Sequence, residues 1–302
     1  MFNIVTMSKY VPDILSRRWV IIAGARIARP EASSSKKKGG FKCPFCPGNE
    51  KMTPGETFRM GDGEKDEPGW QVRVIPNKFP ITDYHEVIIH SPSETADIET
   101  LPLKHVELII KTYKERFNFY KKMGQVLIFC NHGEHSGASL KHPHSQLVVI
   151  PSQINLDTLT CEPITNIVEE NTYFNVYCPD FSQWPYEVWI APKKQNTVFG
   201  DLPDVEIADL AIILQRIVRQ LQKIFNEHHL TKNMTFAYNY YLYPKENWYW
   251  RIIPRFVHRA GFELGTGLSV NMIDPTDAAR QLRGEEEKIV SVMKKIKNLS
   301  KS

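Results

Sequence analysis

A chain of 302 residues, 42% of them hydrophobic, can bury a large core and is long enough for one big domain or two of ordinary size. Its net charge of +4, much of it in clusters such as Lys36-Lys37-Lys38, suits small anionic ligands and makes no nucleic-acid footprint. No apolar run reaches the roughly 20 residues needed to cross a bilayer. Met1 to Leu15 lack the pattern of a secretion signal, and the cysteine count of five is odd, so free thiols in a reducing, cytoplasmic compartment are expected.

In chain order, Trp19-Val20-Ile21-Ile22 reads as a strand. Arg26 and Arg29 follow it with planar forks suited to phosphate oxygens, although surface arginines after a strand would share that spacing. Glu31 to Gly40 and Gly61 to Gly69 are polar, glycine-containing loops. Between them lies Cys43-Pro44-Phe45-Cys46, a spacing used as half of a zinc site and shared by redox pairs and buried thiols. Asn77-Lys78-Phe79-Pro80 and Asn131-His132-Gly133 are polar turns beside strands, suited to holding a base and a ribose.

From Phe79 onward the chain repeats itself at a spacing of roughly one hundred residues, the length of a small domain. Phe79-Pro80 precedes the strand-like His85 to Ile89, and Trp184-Pro185 precedes Tyr186 to Ile190. Leu101-Pro102 and Leu202-Pro203 each open an amphipathic helix, marked by Val106, Ile109, Ile110, Tyr113, Phe117 and Tyr120 in the first and by Leu210, Ile213, Leu214, Ile217, Leu221 and Ile224 in the second. A strand pair follows each helix: 125–130 with 145–150, then 234–238 with 248–253. Each unit thus predicts an antiparallel sheet with a helix on one face, an α+β chain of two tandem units divided as 1–165 and 166–302. After Asp274-Pro275 a last helix is expected from about Thr276 to Lys297.

The chemistry concentrates in Gly137-Ala138-Ser139-Leu140-Lys141-His142-Pro143-His144-Ser145-Gln146. On an extended strand, His142, His144 and Gln146 share one face. His144, flanked by donors, could attack phosphorus and carry the phosphoryl group on its imidazole. His142 is a candidate third zinc ligand; the fourth is open among Glu94, His85, His90 and His135. The second unit has Asn247-Trp248-Tyr249-Trp250-Arg251 at the corresponding place and no such histidines, so the first unit is the expected catalytic half.

Taken in order, Trp19 to Pro30, the Cys43/Cys46 knuckle, Val74 to Phe79, Asn131 to Gln146, Trp184 to Lys193 and Ala260-Gly261-Phe262-Glu263 resemble the galactose-1-phosphate uridylyltransferases, a branch of the histidine-triad superfamily. The most specific element is Gly-x-Ser-x-x-His-Pro-His-x-Gln with Asn131 thirteen residues before His144. The resemblance implies that His144 is the nucleophile, with Ser139 and Gln146 holding phosphoryl oxygens. It implies that Arg26 pairs with phosphate, with Arg29 kept as a candidate beside it, that Asn77, Phe79 and Asn131 line the nucleotide site, and that Phe262 and Glu263 lie near the sugar. It implies zinc on Cys43, Cys46 and His142, with Glu94 standing where the family has a histidine, and a homodimer acting on a nucleotide sugar and a sugar 1-phosphate. A second metal, held in some members by histidines near the last strand, is not expected where this chain has Tyr249 and Arg251. Ala138 replaces a cysteine of some members. Gly261 to Gly267 also looks like relatives that are ADP-glucose or dinucleoside-polyphosphate phosphorylases. The leading expectation is transfer of UMP from UDP-glucose to galactose 1-phosphate; the rivals are a phosphorylase using inorganic phosphate and a non-catalytic, zinc-stapled nucleotide-binding protein.

Overall fold

The computed structural model describes residues 8–12, 19–28, 42–156, 163–227 and 234–285. Arg29, the loop Glu31 to Gly40, and the last predicted helix beyond residue 285 lie outside the described residues.

The described chain contains twelve strands. A hairpin of β1 (Lys9–Pro12) and β2 (Trp19–Ile22) stands apart. The other ten are β3 (Phe58–Gly61), β4 (Trp70–Pro76), β5 (His85–Ile89), β6 (Gln125–His132), β7 (His144–Ile150), β8 (Ile167–Glu170), β9 (Phe174–Tyr177), β10 (Val188–Pro192), β11 (Tyr238–Leu242) and β12 (Trp250–Pro254). They form one antiparallel sheet in the order β3-β4-β5-β7-β6-β11-β12-β10-β9-β8. Read from either edge, the order is the same: first, second, third, fifth, fourth strand of a half. Helix α1 (Leu103–Tyr120) follows the third strand of the first half, and α2 (Asp204–Glu227) follows the third strand of the second. The expected boundary at 165/166 falls just before β8.

Both long helices pack on one face of the sheet. The alternation of the strands sends Ile88, Leu147, Val149, Val126 and Ile128 from the first half into this layer, with Val188, Ile190, Trp250 and Ile252 from the second, against Val106, Ile109, Ile110, Leu210, Ile213 and Leu214 of the helices. On the opposite face, Cys43, Phe45, Trp70, Ile75, Val87 and Ile89 form a smaller cluster, and Val148, Ile150 and Ile154 another that Tyr10 of the hairpin joins.

One predicted element moves and another is described only in part. The strand expected at 234–238 is β11 at Tyr238–Leu242, because its ladder is set by pairing with β6, where Asn239 opposes Asn131 and Leu242 opposes Ile128. The last helix is described as α4 (Pro275–Leu282), started by the Asp274 side chain accepting from the Thr276 N–H at 2.8 Å. A short helix α3 (Gly261–Thr266) precedes it. Among the described residues no helix is long and apolar enough to cross a membrane.

Candidate active site

The site forms at the end of the sheet where β7 begins. β7 lies between β5 and β6, with His144 opposite Ile89 and Gln146 opposite Val87 and Phe129. That register puts His144 and Gln146 on the helix-free face, together with His85 of β5 and Asn131 of β6.

His144 is buried, 8% exposed, and its ring meets that of Phe45 edge-on at 5.4 Å. Its Nδ1–H donates to the carbonyl of His142 at 2.8 Å, which fixes the tautomer. The other nitrogen, Nε2, has no partner among the described residues and carries the lone pair. Burial pulls its pKa down to about 4, against the backbone hydrogen bond that raises it, so the imidazole is neutral at neutral pH. A buried, neutral, oriented imidazole with a free lone pair is what nucleophilic attack on phosphorus requires.

Gln146 is held from one side. The Ile81 N–H donates to His85 Nδ1 at 2.9 Å, so His85 carries its proton on Nε2 and donates it to Gln146 Oε1 at 3.0 Å. Asn77 Nδ2 approaches the same oxygen at 3.4 Å, while Asn77 Oδ1 accepts from the Phe79 N–H at 2.8 Å. With its oxygen occupied, Gln146 has its amide N–H groups left to donate to a ligand. His85, one of the residues left open as a metal ligand, is instead the residue that orients Gln146. Only the register of β5 against β7 reveals this, and the sequence carries no signal for it.

Arg26 donates from a terminal nitrogen to the Phe79 carbonyl at 3.1 Å, which ties the arginine expected at phosphate to the turn expected at the nucleotide. Asn131 Oδ1 accepts from Asn239 Nδ2 at 2.7 Å, and Asn239 also donates to the Ser136 carbonyl at 3.0 Å. Asn239, from the second half, was not legible as a site neighbour. Ser139 is half-buried between the turn at Glu134–Ser136 and β7, and its hydroxyl makes no hydrogen bond with the described residues. Phe262 and Glu263 stand on α3, where Phe262 is exposed and Glu263 Oε2 accepts from the Ala260 N–H at 3.0 Å; that hydrogen bond holds the Glu263 carboxyl below its ordinary value. In the single chain they form no part of the His144 cluster.

The expected metal ligands converge. Cys43 and Cys46 are free thiols, and with His142 their ligand atoms all lie within 4.8 Å of one another. His142 Nε2–H donates to the Ser91 carbonyl at 2.8 Å, leaving the Nδ1 lone pair 3.5 Å from Cys43 Sγ and 3.6 Å from Cys46 Sγ. Tetrahedral zinc with ordinary bond lengths places sulfur and nitrogen ligands roughly 3.5–3.6 Å apart. The donor set therefore fits zinc in type and spacing. Burial, then the neighbouring Cys43 and Glu94, push the Cys46 thiol up to about 12, the cost of crowding acidic groups that a dication would remove. For the fourth position, Glu94 Oε2 lies 3.8 Å from Cys46 Sγ. His90 is bound to Asp97 and Tyr113, and the His135 ring lies against that of His258 at 5.5 Å. Phe45, between the two cysteines, touches both histidine rings. A metal in this knuckle would brace His144 through Phe45 without touching it.

At the corresponding place of the second half, Tyr249 stacks on Trp189 at 4.1 Å and Arg251 makes a bidentate pair with Glu187 at 2.7 and 2.8 Å.

The chain is similar to known proteins in sequence and in fold. Residues 82–150, the segment from β5 through β7, match the model of the galactose-1-phosphate uridyl transferase N-terminal domain. The chain is 27% identical to ADP-glucose phosphorylase of Arabidopsis thaliana, over 90% of this chain and 91% of that protein. It is 25% identical to galactose-1-phosphate uridylyltransferase of Thermotoga maritima, over 91% and 98%. In fold it superposes on the crystal structure of the Arabidopsis ADP-glucose phosphorylase with bound ADP-glucose with a TM-score of 0.68, at 24% identity and covering 91% and 98% of the two chains. A uridylyltransferase structure gives 0.71, at 22% identity and covering 93% and 99%. In its sheet, its Gly-x-Ser-x-x-His-Pro-His-x-Gln motif and these matches, the chain is similar to the galactose-1-phosphate uridylyltransferases and to ADP-glucose phosphorylase.

Proposed function

We propose that this protein is a nucleotidyltransferase that moves UMP from UDP-glucose to galactose 1-phosphate through a covalent uridylyl-His144. The observation that carries this reading is the hydrogen bond from His144 Nδ1–H to the His142 carbonyl, which leaves Nε2 as a lone-pair donor at the mouth of β7. In the first step Nε2 attacks the α-phosphorus, a P–N bond forms, and the P–O bond to the β-phosphate breaks. Glucose 1-phosphate departs with that oxygen and its electron pair. In the second step a phosphate oxygen of galactose 1-phosphate attacks the same phosphorus and the P–N bond breaks, restoring neutral His144 and releasing UDP-galactose. Gln146, Ser139 and Arg26, with Arg29 beside it in sequence, supply the donors that stabilise charge on the non-bridging oxygens. Asn77, Phe79 and Asn131 hold the nucleoside, and Phe262 and Glu263 serve the sugar in a homodimer. Zinc on Cys43, Cys46, His142 and Glu94 supplies structure: it pins the knuckle to the start of β7. A cytoplasmic setting goes with free thiols.

A second reading keeps the same first step and uses inorganic phosphate as acceptor, as in an ADP-glucose phosphorylase; the 27% identity to that Arabidopsis enzyme favours it. The test is incubation with labelled UDP-glucose and ADP-glucose, each alone, followed by intact-mass measurement. An adduct of UMP mass and its discharge by galactose 1-phosphate is the expected result. An AMP adduct discharged by phosphate selects the second reading, and no adduct with either sugar nucleotide removes both.

A further inference from the structure

Behind the nucleophile strand, on the face that carries the helices, a fully buried carboxylate joins the two strands that flank it. Asp97 Oδ1 accepts from His90 Nδ1 at 2.6 Å, and Asp97 Oδ2 accepts from His132 Nδ1 at 2.8 Å. His90 follows the last residue of β5 and His132 is the last residue of β6, and β7 lies between these strands. One side chain therefore spans the strand that begins with His144.

Each end of this bridge leads to the site. The His90 N–H donates to the Pro143 carbonyl at 3.1 Å, so the residue between the two motif histidines hangs on His90. His132 is the neighbour of Asn131, which faces the ligand side of the sheet. The arrangement has a fixed direction. Because His90 Nδ1 gives its proton to Asp97, its Nε2 accepts from the Tyr113 hydroxyl at 3.0 Å, and Tyr113 in turn accepts from the Tyr240 hydroxyl at 2.6 Å. His105 Nε2–H caps the His90 carbonyl at 2.8 Å. Burying a carboxylate is costly unless every lone pair finds a donor, so such a cluster contributes definition of geometry more than net stability.

We propose that Asp97 is a positioning residue for nucleotidyl transfer: by bridging His90 and His132 it fixes β5 and β6 on either side of β7, and so sets His144 against Asn131. This rests on the covalent reading of His144 given above. The experiment is single-turnover formation of the nucleotidyl adduct from UDP-glucose and from ADP-glucose, with His144→Ala as the blank. Misplacing a reacting group by about 1 Å costs on the order of 100-fold, so Asp97→Asn and His132→Leu should slow adduct formation on the order of 10- to 100-fold. The half-saturating nucleotide-sugar concentration should change by less than about threefold, because the interaction acts on the reacting geometry. His132→Asn, whose amide can donate to the same carboxylate oxygen, should recover most of the rate at a melting temperature close to that of His132→Leu. His132 is partly exposed, so this pair carries the test if Asp97→Asn does not fold. Rates within about twofold of wild type for His132→Leu, a rise in half-saturation at unchanged maximal rate, or no recovery with His132→Asn would overturn the role. A wild-type protein that forms no adduct overturns the His144 reading and this proposal with it; a normal wild-type adduct with unimpaired variants overturns the positioning role alone.

Discussion

At His144 one backbone carbonyl decides which nitrogen keeps its lone pair. If Nδ1 lost its acceptor, the proton could occupy Nε2 and the lone pair would point into the strand. Replacing the ring removes the covalent route altogether, and His144→Ala should lower turnover on the order of 10⁴-fold or more while leaving nucleotide binding and melting temperature close to wild type. Steady-state turnover of the purified variant, with equilibrium nucleotide binding as the control, checks this; near-normal turnover would remove His144 from the reaction. The residues of the motif were legible because period-2 alternation needs no knowledge of tertiary structure: His142, His144 and Gln146 are two apart and share a face wherever the strand lies. His85 and Asn239 were not, because their nearness to Gln146 and Asn131 follows from which strands pair and in what register. Cys43, Cys46 and His142 were foreseen as a group by spacing and resemblance, and the structure brings their ligand atoms together.

Among the elements, the long helices and the central strands were written plainly in the hydrophobic pattern, whereas β1, β3, β4, β8 and β9 were not predicted. Four of these five strands have only four residues, too few to display alternation, and β4 is buried on both faces. The knuckle is the element that holds Phe45 against His144, so a metal bound there should be measurable in stability as well as in composition. We expect about one zinc per chain, and its removal, or Cys46→Ser, should lower the melting temperature by several degrees, since each kcal/mol corresponds to about 2–4 °C in domains of 150–250 residues. Elemental analysis and calorimetry of protein purified without chelator check this, and metal-free protein of unchanged melting temperature and full activity would make the knuckle a packing feature. The Asp97 bridge carries a pH signature. Against the burial that raises it, its two histidines hold the Asp97 carboxyl well below the usual carboxylate range, and, likewise against burial, Asp97 raises His132. A depressed carboxyl adds stability above its unfolded value of about 3.9 that is lost as pH falls toward the folded value. A raised imidazole adds stability below its unfolded value of about 6.5 that is lost as pH climbs through the folded value. The stability gap between wild type and His132→Leu should therefore be widest from about pH 4 to 6.5 and narrow on both sides. Melting curves across that range check it, and a constant gap would show that the pair is uncharged throughout.

For the whole molecule, the decisive contact is between β6 and β11, where the halves become one sheet. Side chains reinforce the join on both faces. Asn239 reaches Asn131 on the ligand side, and the Tyr113 and Tyr240 hydroxyls meet on the helix side. Gln215 of α2 donates to the carbonyls of Ile98 and Leu101 at 2.7 and 2.8 Å, and Lys111 of α1 pairs with Asp204 of α2. One apolar cluster runs through residues of both halves, so neither half can lose its core without exposing the other's. The duplication was visible in the sequence; that its copies share a single sheet was not, because β6 and β11 carry no mark of pairing with each other. A shared core predicts one cooperative unfolding transition. With Trp19→Phe and Trp70→Phe in place, Trp184, Trp189, Trp248 and Trp250 report on the second half by fluorescence, and release of zinc bound at Cys43 and Cys46 would report on the first. The two curves should coincide. Tyr240 is 1% exposed at the join, and truncating a buried aromatic side chain costs about 3–5 kcal/mol, so Tyr240→Ala should shift both curves downward together. If fluorescence moved and metal release did not, the halves would be separate cooperative units, and the second would support His144 only by covering it.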